Sequence, residues 1–222
     1  MCGRYSLASD YGTIQHRFGI DAKNLLYKQR YNIAPTQDVL TVTRTGNRNN
    51  AQFMKWGLIP SWSKDSKIGG RMFNARAESL LERRSFRKAF QYQRCLVVAD
   101  GFFEWHRVGK LRIPIRIVLK TAEPFGFAGL WESWKSPAGE LVESCTIITT
   151  VPNKTMELIH DRMPVILTKE AERQWLNASN IDTAELQELL VPYPLSNMET
   201  FTVSGLVNKY ANDIPEVIAR VN

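Results

Sequence analysis

The sequence lacks the features that mark membrane, secreted and zinc-binding proteins. It has no apolar run of about 18 residues, so no membrane-spanning helix and no membrane partner are expected. The first residues, Met-Cys-Gly-Arg-Tyr-Ser, lack the apolar core of a signal peptide. Its three cysteines, Cys2, Cys95 and Cys145, are widely spaced and form no CxxC pair. We therefore expect neither a disulfide framework nor a metal site or cofactor, and a reducing cytosol is the favoured compartment.

The composition is that of an ordinary globular protein with a modest positive charge. Hydrophobic residues make up 44% and charged residues 23% of the 222 positions, which is enough apolar material for a packed core. This length predicts one domain spanning residues 1–222. The 29 Lys and Arg residues against 22 Asp and Glu residues give a formal charge of +7. Such an excess suits a polyanionic partner, although a protein that is merely basic would look the same.

Turn residues and apolar patterning predict a β-rich chain with helices at its periphery. Ser9 and Asp10 are suited to capping a helix that runs through Phe18 and ends at Gly19. The predicted strands cover residues 38–44, 51–57, 95–99, 101–107, 113–119, 125–131, 144–150 and 198–204, with a turn over 46–50. Further helices are predicted over 77–83, 85–92, 169–176 and 183–190. The fold class is therefore α+β, as a single domain with an antiparallel, barrel-like core.

Cys2 is the most informative residue because removal of Met1 would make it the first residue of the mature chain. Its α-amine and its thiol, with reference pKa values near 8 and 8.5, would then form a 1,2-aminothiol. The amine can attack an aldehyde to give an imine, and the thiol can close onto that carbon as a thiazolidine. An internal cysteine cannot do this because its nitrogen is part of an amide. The alternative is a cysteine that stands second without any chemical role.

Two further motifs offer groups that could assist such chemistry. Asn74 and Arg76 stand two residues apart where a predicted helix begins, so that both can face the same way. Asn74 could orient an amine or a carbonyl, or it could be an ordinary helix cap. Glu104 lies in an aromatic stretch, where burial would raise its pKa and suit it to proton transfer. Its alternative role is that of a structural carboxylate paired with an arginine.

His160 is the only one of the three histidines whose sequence setting indicates a role. It stands in the segment Ile-His-Asp-Arg-Met-Pro, where a group that titrates near neutrality can act as a general acid or base. Arg162, two residues later, could bind a phosphate. His16 and His106 have no comparable setting, and we assign them no role from the sequence.

Basic and aromatic residues near these motifs are suited to a nucleic acid. Arg4 places a fixed positive charge two residues from Cys2. Trp56 and Trp62 lie among lysines, as do the aromatic platforms on which unstacked bases rest. For Trp56 we favour a place in the core. Trp62 adjoins a polar loop, which favours exposure.

Taken together, these residues resemble the SRAP (SOS response-associated peptidase) family, whose members crosslink abasic sites in DNA. The resemblance covers nearly the whole chain, and its strength lies in the ordered set of motifs beginning at Met1. The matching segments are Met-Cys-Gly-Arg-Tyr at 1–5, Tyr-Asn-Ile-Ala-Pro-Thr at 31–36, Trp-Gly-Leu-Ile-Pro at 56–60, Asn-Ala-Arg-Ala-Glu at 74–78, Ala-Asp-Gly-Phe-Phe-Glu-Trp at 99–105 and His-Asp-Arg-Met-Pro-Val-Ile-Leu at 160–167.

The resemblance implies a chemistry and assigns its participants. Cys2 would form a thiazolidine with the ring-opened sugar of an abasic site in single-stranded DNA and so shield the lesion. Glu104 would handle the α-amine of Cys2 and promote ring closure. His160 would act as general acid and base on the sugar, and Asn74 would position the terminal residue. The family name also implies autoproteolytic processing, although an aminopeptidase would suffice to remove Met1.

The resemblance further implies a set of DNA contacts. Arg4, Arg76 and Arg162 would hold phosphates, while Pro35 and Trp62 would contact the opened strand. Some family members have a second aromatic residue after the Trp62 position, whereas Ser63 stands here. We expect a monomer acting in the cytoplasm, associated with the nucleoid if the source is bacterial.

Three other functions remain open at the level of the sequence. A Met-Cys-Gly start also opens glutamine-dependent amidotransferases, in which the terminal cysteine attacks an amide carbonyl. A cysteine peptidase could use Cys2 with His160. A non-catalytic module would bind single-stranded DNA reversibly and without any need for Cys2.

Overall fold

The computed structural model describes residues 2–20 and 25–221. Within them the chain forms twelve strands, five α-helices and several 3-10 turns. The strands are β1 (Tyr5–Leu7), β2 (Arg30–Ile33), β3 (Asp38–Thr45), β4 (Arg48–Trp56), β5 (Asn74–Arg76), β6 (Arg94–Ala99), β7 (Gly101–Val108), β8 (Leu111–Leu119), β9 (Phe125–Lys135), β10 (Leu141–Thr150), β11 (Met163–Pro164) and β12 (Met198–Thr202). The helices are α1 (Tyr11–Phe18), α2 (Arg84–Tyr92), α3 (Lys154–Glu157), α4 (Lys169–Trp175) and α5 (Thr183–Glu188). Among the described residues, no helix has the length and apolar character needed to cross a bilayer.

Five strands close into a barrel. The order β10-β4-β3-β6-β9 returns to its start because β9 also pairs with β10, from Leu141 opposite Lys135 to Ile147 opposite Gly129. This closure confirms the predicted barrel-like core and leaves the ring without an open edge. The strands are mainly antiparallel, as predicted, but β10 runs parallel to β4 and then to β5.

A second sheet, β12-β8-β7-β1-β2, is antiparallel throughout and packs beside the barrel. Alternation along its strands separates two faces. Phe102 and Ile117 lie opposite each other and belong to the main core. Phe103 points to the other side, where it packs with Val203 and Val207 under the C-terminal segment. We call this sheet the five-stranded sheet.

The predicted helix at residues 11–18 is confirmed together with its caps. The Asp10 side chain accepts a hydrogen bond from the Thr13 backbone N–H, and Gly19 ends the helix in the left-handed conformation, with φ of 59°. An aspartate at the N-cap and a glycine at the C′ position are the residues that these ends favour. Ile14 and Phe18 are buried and attach the helix to the core.

The predictions were wrong where local pairing extends beyond the apolar pattern. The turn predicted over 46–50 contains only Gly46 and Asn47, because β3 and β4 continue pairing to Thr45 opposite Arg48. Residues 77–83 form no α-helix, since a 3-10 turn at Ala77–Ser79 ends after three residues. The short strands β1, β2, β5 and β11 were not predicted, because two to four residues are too few to show a period.

Candidate active site

Cys2 is held between the two sheets, immediately before β1. Cys2 is fully buried in the chain that still carries Met1. The Asn74 amide Nδ2 donates to the Cys2 backbone oxygen at 2.7 Å. Two residues later, the Phe103 N–H donates to the Arg4 backbone oxygen at 2.9 Å and ties this segment to β7. The backbone around Cys2 is therefore fixed from the barrel side by β5 and from the five-stranded sheet by β7.

Asn74 is the first residue of β5, where it pairs with Ile147 of β10. The alternative role as a helix cap is wrong, because the following 3-10 turn begins after Arg76. While Nδ2 bonds to Cys2, the Oδ1 atom of Asn74 is buried and has no hydrogen-bond partner among the described residues. A buried acceptor without a partner is costly. Asn74 Oδ1 is therefore available to a hydrogen-bond donor that arrives close to Cys2.

Glu104 lies on β7, two residues from Phe102 on the same face of the strand, and is only 3% exposed. Its burial, and to a smaller extent the charge of Asp161, raise its pKa to about 7. At neutral pH both forms of the carboxyl are therefore populated, as a group that exchanges protons requires. The raised pKa argues against the alternative of a structural carboxylate held ionised by an arginine.

The thiol of Cys2 responds to the same surroundings. Burial, and then the negative charge of Glu104, raise the pKa of the thiol well above its usual range. The charge of Glu104 acts on Cys2 and that of Asp161 acts on Glu104, so the three segments that carry these residues lie near one another. The sulfur in this chain is consequently a protonated thiol at neutral pH, with a low intrinsic reactivity.

His160 lies in the turn between α3 and β11, with 28% of its side chain exposed. Its backbone N–H donates to the Met156 oxygen at 2.7 Å. The Nδ1 atom lies 3.0 Å from the Arg162 backbone nitrogen and 2.7 Å from Asp161 Oδ1. Burial lowers the pKa of His160, as does the charge of Arg107, whereas Asp161 opposes them. Nδ1 can accept from the Arg162 N–H or donate to the Asp161 carboxylate, and the two contacts require opposite protonation of that nitrogen.

Two of the arginines expected to bind phosphate already bond within the protein. Nη1 of Arg4 donates to Asn32 Oδ1 at 2.9 Å and to the Val207 oxygen at 2.7 Å. Arg162 donates to both carboxylate oxygens of Glu78, at 2.7 and 3.0 Å, and also to the Thr149 oxygen. Both guanidinium groups therefore fasten chain segments around the site.

The other three predicted DNA contacts are more open to solvent. Trp62 is 47% exposed, and the Arg84 guanidinium lies 4.9 Å from the centre of its ring. The loop that carries Trp62 is anchored because Trp134 Nε1 donates to the Ser63 oxygen at 2.8 Å. Arg76 is exposed, and Pro35 is half-buried. Trp56, by contrast, is fully buried, as we favoured from the sequence.

Sequence reasoning missed the part played by Asn32, which is fully buried. Its Nδ2 donates to the oxygens of Lys209 and Asn212 at 3.0 and 2.8 Å, while its Oδ1 accepts from Arg4. Asn32 thus connects the C-terminal segment to the arginine that follows Cys2. Its place in the Tyr31–Thr36 motif was the only available signal, and the motif gives no partner. Within residues 2–20 and 25–221, no group of three or more His, Cys, Asp or Glu side chains is placed to hold a metal ion.

Comparisons with known proteins agree over almost the whole chain. A family model described as SOS response associated peptidase (SRAP) matches residues 1–210. The abasic site processing protein YoqW of Bacillus subtilis (strain 168) is 50% identical over 221 residues, covering 98% of this chain and 99% of the relative. The abasic site processing protein HMCES of Xenopus tropicalis is 35% identical, covering 76% of this chain and 56% of the relative. An X-ray structure of a Bacteroides thetaiotaomicron protein matches with a TM-score of 0.91 and 29% identity, covering 100% of both chains.

Proposed function

Because the chain belongs to the SOS response associated peptidase family, we propose that it processes abasic sites in DNA by trapping them covalently on Cys2. Relatives named as abasic site processing proteins align along the full chain and support this assignment. The observation that carries the proposal is the placement of Cys2. This residue is held by Asn74 beside Glu104, a buried carboxyl with a pKa of about 7.

The proposed reaction begins at the amine released by removal of Met1. The nitrogen attacks the aldehyde carbon of the ring-opened sugar, and the hydroxyl of the resulting carbinolamine leaves as water to give an imine. The S–H bond of Cys2 then adds across the C=N bond, so that sulfur joins carbon and the proton ends on nitrogen. The product is a thiazolidine, and the whole sequence releases one water molecule.

Proton transfer in this sequence falls to Glu104 and His160. Glu104 in its ionised form takes a proton from the α-ammonium group, and in its neutral form it returns one to the departing hydroxyl. His160 exchanges protons with the oxygens of the opened sugar. Asn74 holds the Cys2 backbone through Nδ2, and its Oδ1 accepts from the amine.

The substrate we propose is single-stranded DNA, bound by a monomer in the cytoplasm. Trp62 offers a face on which a base can stack, and Arg76 offers an exposed charge for a phosphate. Pro35 would line the path of the strand. Phosphate binding by Arg4 or Arg162 would use N–H groups other than those that already bond to protein.

Because the proposed reaction needs a free α-amine on Cys2, removal of Met1 is part of the proposed function. The family name suggests a peptidase, and the same Cys2 could cleave the bond that precedes it. Incubation of protein that still retains Met1, prepared with aminopeptidase inhibited, tests this directly. Loss of Met1 in wild type but not in Cys2→Ala would mark self-processing, whereas retention in both would assign the step to an aminopeptidase.

The crosslink itself is tested by mixing mature protein with single-stranded DNA that carries one abasic site. We expect an adduct that survives denaturation and whose mass equals protein plus DNA minus one water. Cys2→Ala, and an uncleaved tag ahead of Cys2, should each abolish it, while Cys95→Ala should leave it unchanged as the matched control for a buried thiol. An adduct formed equally well by the tagged protein would refute the mechanism through the α-amine.

The same mixtures distinguish the other functions. Binding that salt reverses fully and that Cys2→Ala does not alter would indicate a non-covalent DNA-binding module. Hydrolysis of glutamine, or turnover of a peptide in trans, would indicate an amidohydrolase or a cysteine peptidase.

A further inference from the structure

His106 forms a hydrogen bond that links the two segments carrying Glu104 and His160. It lies on β7, two residues after Glu104, so both side chains stand on the same face of the strand about 7 Å apart along it. Its Nδ1 atom lies 2.7 Å from the backbone oxygen of Leu158. Leu158 is the C-cap of α3 and precedes His160 by two residues. Because a carbonyl oxygen only accepts hydrogen bonds, Nδ1 of His106 is the donor.

The turn that carries His160 is anchored on one side and open to solvent on the other. Ile159 packs against the main core, in which Met156 is fully buried. The Leu158 side chain, by contrast, is 75% exposed. A solvent-open groove of about 340 Å³ has His106, Ile115, Leu158 and Ile159 among its lining residues. At Leu158 the hydrogen bond from His106 therefore supplies a constraint that the Leu158 side chain does not.

We propose that His106 is a positioning residue, which holds the Leu158–His160 turn so that the imidazole of His160 stands toward Glu104 and Cys2. This inference rests on the proposed function, since it assigns His106 to the same reaction. His106 need not touch the DNA, and its charge plays no part. What it contributes is one N–H group, placed by the strand that also carries Glu104.

The position of His160 itself depends on how the turn lies. The backbone N–H groups of Ile159 and His160 both bond to the Met156 oxygen, so the turn moves as a unit. Burial has the largest effect on the pKa of His160, and the groups whose charge acts on its ring are the amino terminus, Asp161 and Arg107. A turn released from His106 would expose the ring, and the pKa of His160 would then rise toward its ordinary value.

Two variants separate the hydrogen bond from the rest of the side chain. His106→Asn keeps an N–H donor at the same number of bonds from the backbone, whereas His106→Leu keeps the bulk and removes the donor. His16→Leu is the matched control, since His16 is an exposed histidine on α1. His106 is itself half-exposed, so we expect all three variants to fold.

The first measurement is the rate of adduct formation at saturating abasic single-stranded DNA, paired with the affinity for DNA carrying a tetrahydrofuran analogue that cannot form an aldehyde. We expect His106→Leu to slow the adduct by about 10-fold or more with unchanged affinity, because a misplaced acid–base group loses much of its catalytic effect. His106→Asn should recover the rate to within about 3-fold, and His16→Leu should not change it. An unchanged rate in His106→Leu, or a loss that His106→Asn fails to restore, would overturn the proposal.

The second measurement needs no DNA and so distinguishes a failure of this inference from a failure of the proposed function. The three histidines give three imidazole Hε1 resonances, which single variants assign. The titration midpoint of His160 should rise by about half a pH unit in His106→Leu and stay in place in His106→Asn and His16→Leu. If the wild type forms no adduct yet His160 shifts in this way, the positioning holds and the crosslinking is wrong. If the midpoint stays in place in His106→Leu, His106 does not position His160.

Discussion

Replacing Glu104 with glutamine should make the protein more stable at neutral pH while it removes the chemistry. The carboxyl is 3% exposed, and its pKa in the folded protein is about 7 against a usual value of 4.5. That difference corresponds to about 3 kcal/mol between the two protonation states. Ionising Glu104 in its buried place therefore costs the folded state about this much.

The sign of the pH dependence follows from which protonation state of Glu104 the folded protein favours. A pKa that folding raises means that the neutral carboxyl is favoured, so its contribution to stability is complete below pH 4.5 and is lost as the pH rises through about 7. Glutamine resembles the neutral carboxyl in shape and does not ionise. The variant should therefore match the wild type to within about 0.5 kcal/mol at pH 4 and exceed it by about 3 kcal/mol at pH 8.

Urea unfolding followed by tryptophan fluorescence, at unit intervals from pH 4 to pH 8, measures this difference. Glu157→Gln, which removes an exposed carboxyl on α3, controls for the general effect of one lost charge. The amino terminus of each sample is identified by mass. A stability difference that does not vary with pH, or a wild type more stable than Glu104→Gln at pH 8, would refute the reasoning. Adduct formation by the variant should be slower by about 100-fold, since proton transfer is lost.

Four other substitutions test the remaining contacts. Asn74→Ala should slow adduct formation by about 10-fold or more without altering affinity for the tetrahydrofuran analogue, because the variant loses the bond to the Cys2 backbone and the acceptor for its amine but no proposed DNA contact. Equal rates would contradict this. Trp62→Ala should weaken binding of single-stranded DNA by about 1–3 kcal/mol, and Arg76→Ala should lower the slope of log affinity against log salt by about 0.7, both measured by fluorescence anisotropy. Asn32→Leu should cost about 2–4 kcal/mol in urea unfolding, since the Asn212 carbonyl loses its donor while the Arg4 guanidinium and the Lys209 carbonyl each lose one of their hydrogen bonds. A cost below about 1 kcal/mol would contradict that account.

Local signals predicted those parts of the fold that local interactions determine. The helix at residues 11–18 was found because Asp10 and Gly19 satisfy its ends within the element itself. The long strands of the barrel were found from their apolar runs, although their ends were not. By contrast, β1 and β5 are three residues long and exist because β7 and β10 pair with them. The sequence of so short a segment does not indicate which distant strand it pairs with.

The same distinction applies to the site. The sequence motifs indicated Cys2 and Glu104 as site residues. The hydrogen bond from Asn74 to Cys2, however, joins positions 72 residues apart, and no local pattern predicts it. The phosphate contact predicted for Arg162 rested on its charge and on the resemblance, and neither indicates its bidentate pair with Glu78. His106 was assigned no role because its neighbours in the sequence indicate none. Its partner, the Leu158 carbonyl, is 52 residues away.

The burial of Cys2 decides the order in which its two nucleophiles react. Burial and the charge of Glu104 keep the sulfur protonated at neutral pH, so the amine must attack the aldehyde first. Glu104 takes a proton from the α-ammonium and gives one to the departing hydroxyl, so it is ionised again when the imine has formed. It can then take the proton of the Cys2 thiol, so one carboxyl serves both the imine step and ring closure.

This order predicts a distinct result for Cys2→Ser. Serine is small enough to allow removal of Met1 and keeps the α-amine, but its hydroxyl is a far weaker nucleophile than the thiol. The variant should form an imine that hydrolyses on denaturation and that cyanoborohydride converts into a permanent adduct. Glu104→Gln in the same background should slow this trapping, because the carboxyl acts before the sulfur does. If Cys2→Ser yields no adduct even with cyanoborohydride, the sulfur attacks first, and the coupling through Glu104 would be wrong.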